Sequence, residues 1–365
     1  MKNRIGFIGL GLIGGSIAKS IKRFFPEYEL LAYDTNRDTL STALKEGVID
    51  LACTSIDEEY SFCSMIFLCA PVQYNTSYLP IIKKFLREDT ILTDVGSVKS
   101  VIHLEIEKLG MSQNFIGGHP MTGSEKVGFT NATDILLENS YYILSPTPDV
   151  SEEKMERYYT LVEHLGSLPL ILDYKTHDYV TAAISHLPHI IASSLVNLVK
   201  KSDTKEEIMK LIAAGGFKDI TRIASSSPVM WQQICSSNGA YISDMLTNYI
   251  ASLEDIKGCI QDKKDQDLYD FFQNARNYRD SISDSSRGPI KKVYAIYCDI
   301  LDETGGIATI ATILASNNLS LKNIGIVHNR EFEEGVLRIE FYLEEAATKA
   351  VDLLRKYRYT VYERK

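Results

Sequence analysis

The stretch NFIGGHPMTGSEKVGF, residues 114–129, places a titratable ring, His119, between a glycine pair and a proline. Gly-Gly before it and Pro120 after it exclude a helix interior, and Pro120 also excludes the interior of a buried strand. His119 is therefore expected where an element ends and a loop begins, the usual place for chemistry in α/β enzymes. A neutral imidazole there suits proton transfer near pH 7. A second chemical stretch is AAGGFKDITRIASSSPVMW. Lys218 and Arg222 stand at helical i, i+4 spacing, and two cations on one face repel unless an anion joins them. Arg suits bidentate carboxylate binding. A solvated charged face is the ordinary alternative. Gly215-Gly216, the Ser225–Pro228 turn and the chain's only tryptophan, Trp231, weigh against it.

These residues need elements to hold them. RIGFIGLGLIGGSIAKSIK opens with an apolar strand, Ile5 to Ile8, and continues as G-x-G-x-x-G at Gly9, Gly11 and Gly14. Gly9 allows a tight turn, Gly11 allows backbone approach to a pyrophosphate, and Gly14 allows close helix–strand packing. A helix from about Ile13 to Lys22 would offer the N–H groups of its start to phosphates, with Leu12 and Ile13 at the cofactor. The second strand, YELLAYD, ends at Asp34, about 20 residues on, where an acidic group receives ribose hydroxyls. Asp34 favours NAD over NADP; Arg37 keeps NADP open. Strands SMIFLCA, TILTDVGS, NFIGGHP, SYYILSP and LPLILD complete a doubly wound sheet of Rossmann type. Ala70-Pro71, Ser97 and His119 all fall at strand ends, where such sheets bind ligands.

From residue 173 to about 284 strand signals vanish. HDYVTAAISHLPHIIASSLVNLVKK is apolar on more than one face, which predicts burial, including against a partner copy. Pro188 should kink or offset this helix. His186 and His189 flank it and read equally well as satisfied core histidines or as cleft lining. SISDSSRGPIKK then reads as a linker. Beyond it the pattern is strand (293–299), helix (307–316), strand (321–328), strand (336–343), helix (346–357) and strand (359–363), a ferredoxin-like βαββαβ unit.

The bulk properties narrow the class. The chain has 365 residues, 45% apolar and 24% charged, with a net charge of −9. Nucleic-acid binding is disfavoured, since it needs a basic face. Six cysteines form no CxxC pair, which argues against a disulfide framework or a metal site and for the cytoplasm. The apolar start mimics a signal peptide, but its glycines fit the dinucleotide strand instead. No run reaches the roughly 18 apolar residues of a membrane span.

The glycine fingerprint, DVGSVK, GGHPMTGSEKVGF, HDYVTAAISHLPH and GGFKDITRIASSSPVMW, in this order, resemble the prephenate dehydrogenase family over roughly the first 280 residues. Thr122 departs from the small residue common at that position. The resemblance implies NAD-dependent oxidative decarboxylation of prephenate to 4-hydroxyphenylpyruvate, without a metal. It implies His119 as the base and Ser97 as a partner of the substrate hydroxyl or of His119. It further implies that Arg222 holds a substrate carboxylate, that Lys218, Ser124 and Glu125 line or gate the pocket, and that the helical segment forms a homodimer. The tail looks like an ACT domain, with ligand contacts expected at Gly305, Gly306 and Asn323 and feedback inhibition by tyrosine. The expected domains are 1–172, 173–284 and 290–365. Arogenate dehydrogenase, a β-hydroxyacid or imine reductase, and a non-catalytic amino-acid sensor are the alternatives.

Overall fold

The computed structural model describes residues 4–122, 126–282, 294–300, 305–327 and 335–362. The chain divides into two compact units, Met1–Tyr278 and Arg279–Lys365. The first unit contains both the expected dinucleotide-binding and helical regions. Most of the expected linker lies outside the described residues.

The first unit is built on β1 (Arg4–Ile8), β2 (Glu29–Tyr33), β3 (Leu51–Cys53), β4 (Met65–Leu68), β5 (Ile91–Asp94), β6 (Phe115–Pro120), β7 (Tyr141–Pro146) and β8 (Leu168–Ile171). The strand order is β3-β2-β1-β4-β5-β6-β7-β8. Pairing is parallel from β3 to β6; β7 runs antiparallel to β6, and β8 parallel to β7. The order reverses between β1 and β4, and the crevice beyond their carboxyl ends is where such sheets bind ligands. β4 and β5 are buried throughout, as expected of parallel strands covered on both faces. Phe7 stacks on Phe67 across β1 and β4 at 5.1 Å. β3 was not anticipated: three residues at an edge, half exposed, carry too short a pattern to read.

Helices α1 (Leu12–Phe24), α2 (Arg37–Lys45), α3 (Val72–Ile82), α4 (Ser100–Lys108) and α5 (Glu152–His164) connect the strands. Local chemistry starts two of them: the Asn36 side chain accepts from the amides of Asp38 and Thr39, and Ser151 caps α5. The helical region follows as α6 (Tyr174–Thr181), a π turn at Ala182–His186, α7 (Leu187–Ser202), α8 (Ile208–Ile212), α9 (Gly215–Thr221), α10 (Pro228–Ser237), α11 (Gly239–Gln261) and α12 (Asp265–Ser281). Asp173 caps α6 through the amides of Lys175 and Thr176. Pro188 lies in the first turn of α7, and the π turn before it carries the helix past the missing N–H. Residues Tyr174–Ser202 thus form one helical run that is long and apolar enough to cross a membrane, by length and composition only. Polar side chains interrupt its apolar residues, so it contains no unbroken apolar run of that length. Ile184 and Leu198 on this run are exposed in the single chain.

The second unit comprises β9 (Tyr294–Ile300), α13 (Gly306–Ser316), β10 (Leu321–Val327), β11 (Gly335–Phe341), α14 (Glu344–Lys356) and β12 (Val361–Tyr362). Its antiparallel sheet has the order β10-β11-β9-β12. This is the expected ferredoxin-like βαββαβ unit. Both helices pack on one core that includes Cys298, Ile310, Leu337, Phe341 and Leu354.

Candidate active site

The glycine loop joins β1 to α1. Gly9 has φ +90°, and a Cβ there would come within 2.7 Å of the Ala70 amide. A Cβ on Gly14 would meet Cys69 at 2.8 Å, so this glycine seats α1 against the end of β4. Gly11 faces open space, with nothing within 4 Å of an added Cβ. It stands at the N-cap of α1, which carries no side-chain cap. Uncapped amides at Leu12 and Ile13 beside open space are what a pyrophosphate requires. Asp34 ends β2, and its two oxygens accept from the amides of Leu10 (2.7 Å) and Asn36 (2.7 Å). That ties the glycine loop to the turn after β2 and leaves carboxylate lone pairs for ribose hydroxyls. Arg37 is engaged elsewhere, donating to the carbonyls of Cys53 (3.5 Å) and Thr54 (3.2 Å). The residues fit a dinucleotide with a free 2′-hydroxyl. Ala70 and Pro71 lie at the switch point, Pro71 at the start of α3.

His119 is the penultimate residue of β6, at the carboxyl end as expected. The glycines before it serve packing rather than chain reversal. A Cβ on Gly118 would come within 2.6 Å of the Asp94 carbonyl and 2.7 Å of the Tyr158 hydroxyl. A Cβ on Gly117 would meet His103 Nε2 at 2.8 Å. Beneath them is a buried ion pair: Lys99 Nζ donates to Asp94 and to the Gly118 carbonyl (2.7 Å). Asp94 also accepts from the amides of Gly96 (2.9 Å) and Gly118 (3.3 Å). One carboxylate therefore holds both the loop that carries Ser97 and the strand that carries His119. Burial lowers the Lys99 pKa, opposed by Asp94.

The His119 ring is bound by His177, with Nδ1 2.8 Å from His177 Nε2. Ser97 makes no hydrogen bond to His119, so its expected role in orienting that ring belongs to His177. His177 Nδ1 lies 2.8 Å from Asp178 Oδ1. Asp178 also accepts from the amides of Lys99 (2.8 Å) and Ser100 (2.8 Å) at the start of α4. Burial alone would raise its pKa, but His177, Ser100 and Lys99 hold it below the usual carboxylate value. Burial, then His177, Lys99 and His186, push the His119 ring well below the ordinary imidazole value. His103 is pushed down to about 3 by burial and then by Lys99.

His186 is buried, with Nδ1 3.1 Å from the Asn238 amide nitrogen, which also donates to the Asp178 carbonyl (2.8 Å). That is the geometry of a satisfied core histidine, and burial lowers its pKa to about 4. His189 stacks on Trp231 at 3.6 Å, while His186 meets the same indole edge-on at 6.0 Å. Arg222 lies close enough to His189 to lower its pKa, after burial and against a hydrogen bond to the Ile223 backbone. Contact by contact, the wall runs from His119 through His177, Asp178, Asn238, His186 and Trp231 to His189 and Arg222. Trp231 Nε1 is buried without a hydrogen-bond partner.

Two expectations change. α9 ends at Thr221, whose hydroxyl bonds back to the Phe217 carbonyl (2.6 Å), and Arg222 opens a 3₁₀ turn. Lys218 and Arg222 are therefore not aligned by one continuous α-helix, and both are exposed in the single chain. Ser124 and Glu125 lie outside the described residues. The residues that sequence reasoning passed over are Asp94, Lys99, His177 and Asp178, although DVGSVK and HDYVTAAISHLPH contain all four. An adjacent His-Asp pair at a helix start was the available signal. In the second unit Gly305, with φ +92°, caps α13 without a side chain. Asn323 is exposed on β10, its Oδ1 accepting from the Ile324 amide (2.9 Å). Among the described residues no cluster of three or more His, Cys, Asp or Glu could hold a metal.

Known proteins resemble the chain along most of its length. Residues 17–168 match the prephenate dehydrogenase nucleotide-binding domain, and residues 173–274 match the prephenate dehydrogenase dimerization domain. A prephenate dehydrogenase of Bacillus subtilis is 36% identical over 352 residues, covering 96% of this chain and 95% of its own. The crystal structure of prephenate dehydrogenase from Aquifex aeolicus with hydroxyphenyl propionate and NAD+ is 31% identical, with a TM-score of 0.73. It covers 78% of this chain and 99% of its own. An arogenate dehydrogenase of Synechocystis is 27% identical with a TM-score of 0.70, covering 77% of this chain and all of its own.

Proposed function

The chain belongs to the prephenate dehydrogenase family, and from that premise we propose that it converts prephenate to 4-hydroxyphenylpyruvate with His119 as the base. The observation that carries this reading is the His119 ring, set at the end of β6 with one nitrogen bound to His177. Its other nitrogen is left for a substrate hydroxyl. Bound NAD+ supplies the hydride acceptor. As the hydride leaves the carbinol carbon, His119 takes the hydroxyl proton. Loss of CO₂ then aromatises the ring, and the phenolate oxygen takes the proton back, so no net proton is produced. Ser97 donates to the reacting oxygen. Arg222, with Trp231 Nε1 as a second donor, receives a substrate carboxylate, and Lys218 lines the approach. Asp34 holds the adenosine ribose, which favours NAD+ over NADP+.

The helical region, with Ile184 and Leu198 exposed on the Tyr174–Ser202 run, forms the homodimer. Six unpaired cysteines suit a cytoplasmic enzyme. The ACT unit binds tyrosine at the amides after Gly305-Gly306 and at Asn323, and so provides feedback inhibition.

The test is NADH formation with prephenate or arogenate, NAD+ or NADP+, with and without tyrosine. Turnover with prephenate and NAD+, suppressed by tyrosine, is expected. Turnover with arogenate alone replaces the substrate and keeps the site. A His119→Asn chain should bind NAD+ normally and lose about 10²–10⁴-fold in kcat. An undiminished kcat removes His119 from the mechanism.

A further inference from the structure

We infer that His177 and Asp178 are positioning residues that fix the tautomer of His119, and that the backbone amides of Lys99 and Ser100 dictate this choice. The inference rests on the reading of His119 as the base. It starts from Asp178, which is wholly buried and accepts three hydrogen bonds. Two come from backbone N–H groups, which can only donate. Asp178 Oδ1 receives the Lys99 amide and also faces His177 Nδ1. A carboxylate held ionised by those amides has no proton to give. His177 Nδ1 must therefore carry one.

The rest follows along the chain of rings. A neutral imidazole with its proton on Nδ1 has only a lone pair on Nε2. His177 Nε2 is 2.8 Å from His119 Nδ1, so His119 must donate there. That places the His119 proton on Nδ1 and leaves Nε2 as the lone pair that a base requires. The opposite tautomer would point an N–H at the substrate hydroxyl and could not accept its proton. When His119 Nε2 takes that proton, His177 Nε2 goes on accepting from Nδ1, so the ring keeps its orientation through the transfer. The order along the relay is backbone amide, carboxylate, imidazole, imidazole, and each hydrogen bond fixes the direction of the next.

The other charged and titratable groups around this pair are Lys99 with its partner Asp94, His103 and His186. Lys99 Nζ is committed to Asp94 and the Gly118 carbonyl, and His186 Nδ1 to Asn238. None of them hydrogen-bonds the His119 ring, so none competes with His177 for its Nδ1.

Three variants of the full-length enzyme separate this role from a merely structural one, read by kcat, KM, NAD+ affinity and the pH profile of kcat. His177→Leu removes the acceptor, leaves the His119 tautomer unfixed, and should lower kcat about 10²–10³-fold with KM and NAD+ affinity within about twofold. His177→Gln restores an acceptor through its amide oxygen and should return kcat to within about tenfold of native. Asp178→Asn removes the charge that anchors the relay and leaves an amide N–H against a backbone donor, and should lower kcat, with the acid limb of the pH profile displaced. If it fails to fold for want of the α4 cap, the two His177 variants still decide. Equal kcat in His177→Leu, His177→Gln and the native enzyme, with unchanged pH profiles, overturns the inference. A loss common to His177→Leu and His177→Gln that appears in KM and NAD+ affinity also overturns it, in favour of simple packing. His119→Asn is measured alongside: if it alone keeps native kcat, the base assignment has failed; if it loses kcat while both His177 variants keep theirs, only the relay has failed.

Discussion

The two compact units bury different things. Beside β5, β6 and α6 the first unit places Asp94, Lys99, His103, His177, Asp178 and His186 among its buried residues. In the second unit the described residues that are fully buried are hydrophobic. Taking charges out of water is costly, and a buried pair seldom adds net stability over an apolar replacement. Its presence at one end of one sheet, where the described residues of the βαββαβ core hold no fully buried ion pair, marks where geometry has been kept at the expense of stability. The first unit's network ties the His119 ring to the loops and strands around it. The second unit needs only a packed core.

This contrast can be broken by mutation. Lys99→Met leaves Asp94 buried without its cation and should cost about 3–5 kcal/mol of stability. It should also lower kcat, because the Ser97 loop and the His119 strand lose their common anchor. Denaturant unfolding and kinetics on the same protein check both. Phe341→Ala in the second unit should cost a similar amount, about 3–5 kcal/mol, from the cavity it leaves. There, kcat without tyrosine should be unchanged and the tyrosine response weakened. Equal kinetic damage from the two changes would erase the distinction between the units.

Arg222→Ala acts at the rim of the first unit, and should raise the prephenate KM about tenfold to a hundredfold with little change in kcat. That is the value of one charge-assisted hydrogen bond. An unchanged KM makes Arg222 part of a solvated face.

The two units should also differ in their response to pH. His103 and His186 have folded pKa values of about 3 and about 4, below their ordinary 6.5. As pH falls, the unfolded chain binds protons first. Their stabilisation is therefore complete above about pH 6.5 and is lost progressively towards pH 4, at about 1.4 kcal/mol per pH unit for each group. Calorimetry of the full chain should show the transition of the first unit moving down with pH while that of the second holds. Parallel movement of both would contradict the assignment.

Much of this was legible locally. The glycine fingerprint, Asp34 and the apolar strands carry short-range signals that burial enforces. His119 stood out because Gly-Gly and Pro120 admit few backbone settings. Even so, the reason for Gly117 and Gly118 was hidden: they admit Tyr158, His103 and Lys99, which arrive from other elements. His177 and Asp178 were passed over because a His-Asp pair at a helix start looks solvated until the start of α4 is packed on it. The same holds for Lys99 and Asp94, five residues apart across a loop whose path depends on their bond. β3 was too short to show a period. The i, i+4 spacing of Lys218 and Arg222 does not lie within one α-helix because the chain passes into a 3₁₀ turn at Arg222, just before the Ser225–Pro228 turn.

The most direct test is turnover. Full-length protein, prephenate and NAD+ should yield NADH and 4-hydroxyphenylpyruvate in equal amounts, and His119→Asn should abolish most of that rate while NAD+ still binds. A native chain that binds NAD+ yet releases no NADH from prephenate or arogenate, or a His119→Asn chain with native kcat, would contradict the assignment of this site.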